Sequence, residues 1–397
     1  MNKIYIKLSE ITDIKISSVD KKIKDNESKV KLCNFTDVYY NWDISSFDIC
    51  HFMIASASKE EINKFSLSKN DILITKDSET RNDIGISCLV KENLPNTILG
   101  YHCALIRPNK NIDGAYLNAC LKNKTCRKYF SNQASGSGQR FTLSIDGIGS
   151  VKIPLIPFDE QKKISRFISN INDKISINNR INDNLQQVLM TKYYHDFENN
   201  LDSNTLKKVK IGELVKIISG YPFEPEQYDK DGFYKLITIK NVQDNGLNID
   251  IGDRISKIPN NLPEYCKLAP NDILLSLTGN VGRVATIYSD NCLLNQRVAI
   301  VIPSNEQLRT FVYCLFKSNW LRKTMEKSAS GTSQKNLSPI EISDILIMFD
   351  EKKALNFSIE MQSLFKKMIL LQNENMSLRK LRNDLLPLLI NGQVTIR

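Results

Sequence analysis

The feature that most constrains the fold of this 397-residue chain is an internal repeat. Residues 70–75 (Asn-Asp-Ile-Leu-Ile-Thr) recur as residues 271–276 (Asn-Asp-Ile-Leu-Leu-Ser). Residues 134–140 (Ala-Ser-Gly-Ser-Gly-Gln-Arg) recur as residues 329–335 (Ala-Ser-Gly-Thr-Ser-Gln-Lys). Because both pairs keep their order and nearly their spacing, we expect two copies of one scaffold that carry different surfaces.

Each repeat leads into a long helical pattern that follows the tripeptide Phe-Asp-Glu, at residues 158–160 and 349–351. In both halves an apolar strand precedes this tripeptide. Asp159 is predicted to cap the first helix, and Glu160 lies in the first turn, where carboxylates meet free backbone N–H groups. The chain therefore alternates globular half, long helix, globular half and long helix.

The two long helices are predicted to pair with each other. Their apolar residues recur in steps of three and four, which is typical of a coiled-coil seam. Asn375 and Arg382 occupy seam positions of the second helix, and Asn178 and Asn182 lie close to the seam of the first. Polar seam residues fix the register of such pairs. The alternative is that each helix packs only on its own domain.

The predicted fold class is α+β, with two mixed α/β domains separated by two long antiparallel coiled-coil helices and related by a pseudo-twofold internal repeat. The predicted boundaries are 1–157, 158–200, 201–348 and 349–397, and the second segment ends in a polar linker. Strands in the second half are predicted at residues 233–239, 272–277, 283–288 and 297–302, with a turn at 279–282. Helices that cover the sheets are predicted at residues 116–130 and 311–324.

The charge of the chain favours a polyanionic partner. Lys and Arg number 54 against 44 Asp and Glu, which leaves a net charge of +10 and a pI near 9.0. Cations placed against phosphates release condensed counterions, so a basic balance is typical of nucleic-acid binding. With 41% hydrophobic and 25% charged residues, the composition is that of an ordinary globular protein.

The usual catalytic signatures do not occur in the sequence. There is no Gly-Lys-Ser/Thr after a glycine loop, no His-Glu-x-x-His and no Gly-x-Ser-x-Gly. The chain has no Pro-Pro dipeptide, so it lacks the Asp/Asn-Pro-Pro-aromatic motif with which amino-methyltransferases hold a flipped base. The nine cysteines form no Cys-x-x-Cys pair, and adjacent Cys–His pairs make poor chelates. We therefore predict neither a catalytic centre nor a zinc site.

The sequence favours a cytoplasmic protein without a membrane span. Its N-terminus has no apolar core of signal-peptide length. The longest aliphatic stretch, residues 385–390, is interrupted by Pro387 and is far shorter than the ~20 residues that a spanning helix needs.

Several segments together resemble the specificity subunits of type I restriction–modification systems. The resemblance to the target recognition domains of that family lies in four segments, residues 271–276, 278–283, 294–299 and 329–338. Residues 153–161 resemble the proline-rich start of the central conserved region of that family, and residues 378–394 resemble its distal conserved region. The resemblance covers essentially the whole chain, although the first half lacks the Gly-Asn-Val-Gly-Arg turn of residues 279–283.

The resemblance implies a recognition subunit with no catalysis of its own. Residues 1–157 and 201–348 would be target recognition domains, each reading one half of a bipartite site in double-stranded DNA. Residues 158–200 and 349–397 would be the central and distal conserved helices, which dock two methyltransferase (M) subunits. Motor/endonuclease (R) subunits would add restriction. No cofactor is expected on this chain; S-adenosylmethionine, ATP and Mg would belong to the partners.

The candidate DNA contacts are polar, basic or aromatic residues in loops. Such side chains suit phosphates and base edges, or can stack on a displaced base. For Tyr221 and its neighbour Phe223, buried packing is the competing interpretation. The candidates are Lys76, Arg81, Gln139, Arg140, Tyr221, Lys240, Asn241, Asn280, Arg283, Gln334 and Lys335.

Three other functions compete with this hypothesis. A type IIB-like methyltransferase–nuclease uses a similar recognition subunit, and only its catalytic partner would separate the two cases. A coiled-coil scaffold without DNA would show no salt-sensitive, sequence-selective DNA binding. A self-sufficient nuclease would cleave DNA as an isolated chain in the presence of metal.

The repeat predicts that the two halves recognise DNA separately. Replacing Gln334 and Lys335 with Ala should weaken or relax recognition of one half-site and leave the other intact, because the two residues lie in only one of the repeated loops. Binding to duplexes altered in one half-site at a time measures this effect. Equal loss at both halves would contradict the two-module hypothesis.

Overall fold

A computed structural model of the protein describes residues 4–199, 206–330 and 335–396. The chain forms two compact units. Unit 1 contains the residues up to Ile175 and those from Leu378 onward, and unit 2 is Ser176–Ser377. Each unit includes part of both long helices, so the predicted boundaries at residues 157, 200 and 348, which follow the repeat, stay predictions.

Unit 1 opens with thirteen strands and six short helices among its described residues. The strands are β1 (Ile4–Lys7), β2 (Thr12–Ile16), β3 (Ser28–Cys33), β4 (Asp43–Ile44), β5 (Met53–Ala57), β6 (Ile72–Thr75), β7 (Asp77–Ser78), β8 (Ser87–Val90), β9 (Thr97–Leu99), β10 (Cys103–Pro108), β11 (Ser135–Ser137), β12 (Arg140–Thr142) and β13 (Lys152–Leu155). The helices are α1 (Leu8–Ile11), α2 (Phe35–Tyr39), α3 (Lys59–Phe65), α4 (Gly114–Lys122), α5 (Lys124–Gln133) and α6 (Ile145–Gly149).

The central sheet of unit 1 has hydrophobic cores on both faces. Its strand order is β2-β10-β6-β8-β4, and β6 is completely buried. Successive side chains of a strand point to opposite faces. Accordingly, Ile72 and Ile74 pack with Leu117 and Phe130 in one cluster, while Leu73 lies in another. Burial on both sides explains why this strand is a continuous apolar run.

The first long helix, α7 (Phe158–Tyr194), continues as a short π-helical segment, His195–Asn199. The backbone N–H of Gln161 donates to the carbonyl of Pro157 at 3.0 Å, so the helix already begins before Asp159. The prediction that Asp159 is the N-cap is therefore wrong, and Asp159 shares the first turn with Glu160. Both carboxylates still favour the positive end of the helix dipole.

Unit 2 has twelve strands and four short helices in its described part. The strands are β14 (Lys207–Lys210), β15 (Val215–Ser219), β16 (Tyr234–Ile237), β17 (Val242–Gln243), β18 (Gly246–Leu247), β19 (Arg254–Ile255), β20 (Lys267–Leu268), β21 (Ile273–Ser276), β22 (Val284–Thr286), β23 (Cys292–Leu294), β24 (Val298–Pro303) and β25 (Leu346–Phe349). The helices are α8 (Ile211–Leu214), α9 (Arg309–Lys317), α10 (Asn319–Ser328) and α11 (Pro339–Ser343). The second long helix is α12 (Glu351–Ile390).

The internal repeat is present in the strand topology of both units. The order β15-β24-β21-β22 in unit 2 matches β2-β10-β6-β8 in unit 1. A parallel pair also recurs, β3 with β9 and β16 with β23. The central strands of the two sheets are β6 and β21. Two residues before each of them an asparagine has a positive φ, 72° for Asn70 and 82° for Asn271. Asparagine tolerates this conformation better than most residues, which explains its recurrence there.

The covering helices are each interrupted once. We predicted single helices at residues 116–130 and 311–324, but the chain forms α4 and α5, then α9 and α10. Asn123 and Ser318 break them by adopting extended backbone angles. Each of these two side chains accepts a backbone N–H of the following helix, as N-caps do.

The predicted pairing of the two long helices is confirmed. In unit 2, Lys192 of α7 lies 3.4 Å from Glu360 of α12, and Asn178 donates to Asn375 at 2.9 Å, so the helices run antiparallel. In unit 1, Arg382 donates to Asn172 at 2.6 Å. Helix α12 contains Pro387, and it ends just before Asn391 and Gly392, where the positive φ of Gly392 (61°) is typical of a helix C-terminus.

Among the residues that the structure describes, no helix is both long enough and apolar enough to cross a bilayer.

The buried amide of Asn178 is expected to stabilise the helix pair. Its Nδ2 donates to Glu374 at 2.8 Å as well as to Asn375, and its side chain is fully buried. Asn178→Ala should lower the free energy of unfolding by about 1–3 kcal/mol, because the buried amide oxygen of Asn375 loses this donor. Asn184→Ala is the matched control on an exposed position of α7. Urea unfolding followed by circular dichroism measures both, and equal effects would contradict the prediction.

Candidate nucleic-acid interface

Each unit places a polar loop beside the repeated Gly/Ser segment. We call residues 76–86 and 277–283 the first and second sheet loops; each follows the central strand of its unit. The backbone N–H of Leu143 donates to the carbonyl of Lys76 at 2.8 Å, and that of Leu337 donates to Leu277 at 2.9 Å. The equivalent bonds thus join each sheet loop to the residues that follow its Gly/Ser segment (134–140 in unit 1, 329–335 in unit 2).

Asp77 organises the polar side chains of the first sheet loop. Its carboxylate accepts from Lys76 at 2.6 Å and from Thr142 at 2.7 Å, and it lies 2.7 Å from Nδ1 of His102. Partial burial acts to raise the pKa of Asp77, but these three contacts outweigh it and hold that pKa below its ordinary value. Lys76 is therefore held inside this cluster with most of its side chain covered.

Three further candidates in unit 1 lie on the same exposed corner. Gln139 and Arg140 are exposed at the turn of the β11–β12 hairpin, where Gly138 has φ 67°. The guanidinium of Arg81 lies 5.2 Å from the ring centre of Phe141 on β12, which holds the first sheet loop against the hairpin. The exposed cations and amides of this corner suit phosphate and base edges.

In unit 2, Arg283 belongs to a charged cluster. Asp244 accepts from Arg283 at 2.6 Å and from Arg322 at 2.9 Å. Partial burial acts to raise the pKa of Asp244, but the two arginines outweigh it and hold that pKa low. The neighbouring Asn280 is exposed, and with its amide oxygen turned towards Arg283 it accepts from that guanidinium at 3.0 Å.

Lys240 and Asn241 are adjacent in sequence but differ in their surroundings. Lys240 is exposed, whereas Asn241 is 1% exposed. The amide of Asn241 accepts from the N–H and hydroxyl of Thr238 and donates to the carbonyls of Asn248 and Ile251. Its hydrogen-bonding groups are thus used in shaping residues 238–251, which lie between β16 and β19.

Tyr221 is half-buried and packs edge-on against Phe223, with ring centres 5.1 Å apart. Its hydroxyl donates to Asn261 at 2.9 Å. Lys335 is exposed, and its ammonium donates to the carbonyl of Glu326 at 3.3 Å. Gln334 lies outside the described residues.

Four residues of these clusters were not predicted from the sequence: Asp77, His102, Asp244 and Arg322. A usable signal existed for Arg322, because Lys122 and Arg127 recur as Lys317 and Arg322, with the lysine just before and the arginine just after the same helix interruption. We find no such signal for Asp244, since it meets the arginines only through folding. Within residues 4–199, 206–330 and 335–396, no three His, Cys, Asp or Glu residues are grouped to hold a metal ion.

Comparison with known proteins identifies a matching family. The family model described as "Type I restriction modification DNA specificity domain" matches residues 4–187 and 204–350, well over half of the chain.

Curated relatives and a solved structure agree with this match. The MjaVIII specificity subunit of a type I restriction enzyme from Methanocaldococcus jannaschii is 25% identical over 413 residues, covering 97% of this chain and 93% of that protein. The HindI specificity subunit from Haemophilus influenzae is 24% identical, covering 83% and 88%. The crystal structure of a type I restriction–modification S subunit from M. genitalium is similar in fold, with a TM-score of 0.56, 16% identity and coverage of 98% and 96%.

The Asp77 cluster predicts a pH-dependent contribution to stability. Because the folded-state pKa of Asp77 lies below its ordinary 3.8, its stabilising effect is present above that pH and is lost as the pH falls through the folded-state pKa. Asp77→Asn should cost about 1–2 kcal/mol at pH 7 and progressively less below pH 3.8. Thermal unfolding at several pH values measures this.

Asp13→Asn is the matched control for that prediction, since Asp13 is mostly exposed in the same unit and pairs with Lys15 at 2.8 Å. A surface pair of this kind contributes little. A cost of Asp77→Asn that stays constant with pH, or that equals the control, would contradict the assigned role of Asp77.

Proposed function

Because the chain belongs to the type I restriction modification DNA specificity domain family, we propose that each of its two units reads one half of a bipartite site in double-stranded DNA. The chain is a DNA sequence-recognition subunit. The observation that supports the two-part site is the duplicated sheet loop and Gly/Ser segment. The same scaffold presents Asp77 with Lys76 in unit 1, but Thr278 with Leu277 at the matching place in unit 2.

In unit 1, the proposed DNA contacts are Lys76, Arg81, Gln139 and Arg140. Arginine and glutamine make paired hydrogen bonds to guanine and adenine edges, and lysine suits phosphates. Lys76 would reach DNA from within the Asp77 cluster, which limits the directions in which its ammonium can point. Restricted donors discriminate between bases better than freely rotating ones, since they cannot follow a misplaced acceptor.

In unit 2, the proposed contacts are Lys240, Asn280, Arg283, Gln334 and Lys335. Asp244 fixes the guanidinium of Arg283, and the oriented fork can then bind one base edge. Asn241 would act by holding the loop that carries Lys240, because its own amide is occupied. Tyr221 would stack on a base only by breaking its bond to Asn261.

The paired long helices are proposed to dock two methyltransferase (M) subunits, which would methylate adenine with S-adenosylmethionine. Motor/endonuclease (R) subunits would then supply restriction with ATP and Mg. Exposed apolar side chains on the helix surfaces of unit 2 support a protein partner: Ile177 and Val188 on α7, and Ile359 and Leu370 on α12, are each at least half exposed.

Deleting the gene should remove methylated adenines from one bipartite DNA motif in the host. The reason is that methylation follows the site that this chain selects. Single-molecule methylome sequencing with and without the gene measures it, and restoring the gene is the control. Loss of methylation scattered over unrelated motifs would contradict the proposal. An unchanged methylome in a host whose methyltransferase partner is active would also contradict it.

A further inference from the structure

Two arginines recur at equivalent positions behind the sheet loops. Arg127 lies on α5 and Arg322 on α10, and the backbone N–H of each donates to the carbonyl of its capping residue, Asn123 or Ser318. A lysine follows each arginine, at Lys128 and Lys323, and both lysines are exposed. The arginines are partly buried and bind groups of their own units, whereas the lysines are exposed to solvent.

In unit 1, Arg127 holds the backbone of the first sheet loop. Its guanidinium donates to the carbonyl of Ile84 and, at 3.3 Å, to that of Asn82. Ser131 on the same helix donates to the side chain of Asn82 at 2.9 Å. These bonds fix the turn that begins at Arg81.

In unit 2, Arg322 acts on a side chain rather than on the backbone. It binds Asp244 at 2.9 Å and Glu326 at 3.0 Å, and Asp244 in turn binds Arg283. From α9, Lys317 donates to the backbone carbonyl of Asp244 at 3.1 Å, which fixes the turn between β17 and β18 that carries Asp244. Arg322 and Lys317 therefore both hold Asp244, the residue whose carboxylate binds the guanidinium of Arg283.

Direct contact with DNA does not account for this arrangement. The donors of Arg127 point at carbonyls of its own unit, and the charge of Arg322 already faces two carboxylates. We infer that Arg127 and Arg322 are positioning residues that set base discrimination, each for the half-site read by its own unit. The inference rests on the proposed function above.

The test compares these arginines with their exposed neighbours. Arg127→Gln and Arg322→Gln remove the contacts, and Lys128→Gln and Lys323→Gln remove the same charge one residue away. The full-length chain, purified with the proteins that bind it in its host, is incubated with a pool of randomised DNA duplexes, and the bound duplexes are sequenced. Affinity for the selected site and for single-base variants is then measured at several salt concentrations.

We expect each arginine variant to lose discrimination about tenfold in one half-site only, as for one misplaced base contact. Arg127→Gln and Arg322→Gln should affect different halves. The salt dependence of binding should match the wild-type protein, whereas loss of a phosphate contact lowers its slope by about one. The lysine variants should keep full base discrimination. The half-site that stays intact shows in each case that the unit reading it has folded.

Asp244→Asn provides a second route if Arg322→Gln does not fold. It should relax the same half-site. Where both single variants fold, combining them should cost little more than Asp244→Asn alone, because Arg322 acts on Arg283 through Asp244. Unchanged discrimination, equal loss in both halves, or a lower salt slope with discrimination retained would overturn the inference. A wild-type protein that selects no bipartite motif would instead contradict the proposed function.

Discussion

In each unit, one hydroxyl group holds the backbone where it returns from the sheet loop to the sheet. Thr75 accepts the N–H of Ile86 at 2.9 Å, and Ser276 accepts the N–H of Arg283 at 2.9 Å. The preceding glycines, Gly85 and Gly282, have φ of 72° and 81° and also bond back to the central strand. The geometry of both candidate DNA surfaces depends on these bonds, because they fix where each loop ends.

The same glycines lie against the helices behind the loops. A Cβ at Gly85 would come within 2.7 Å of the ring of Phe130, and one at Gly282 within 3.3 Å of Met325. Together with the positive φ, this close approach explains why glycine recurs at both positions. The backbone of each loop is thereby pressed onto α5 or α10. Arg127 donates to this backbone directly, whereas Arg322 acts on Arg283 through the carboxylate of Asp244.

On this common scaffold the two units carry different chemistry. The hydroxyl of Thr142 donates to Asp77 in unit 1, and the hydroxyl of Thr278 donates to Asn336 in unit 2. The same link between sheet loop and Gly/Ser segment is thus charged in one unit and neutral in the other. Such a difference allows two units of one fold to select different DNA sequences without a change in the underlying strands.

The sequence alone determined the repeat, the two long paired helices and the family, since these depend on local order and on periodicity. It did not reveal the breaks at Asn123 and Ser318, because a helix pattern continues through them. Nor did it predict that Asp244 lies beside Arg283, or that the amide of Asn241 is already hydrogen-bonded within its own unit. Those arrangements join residues that are distant along the chain, and only tertiary packing decides which polar groups meet and which remain available for DNA.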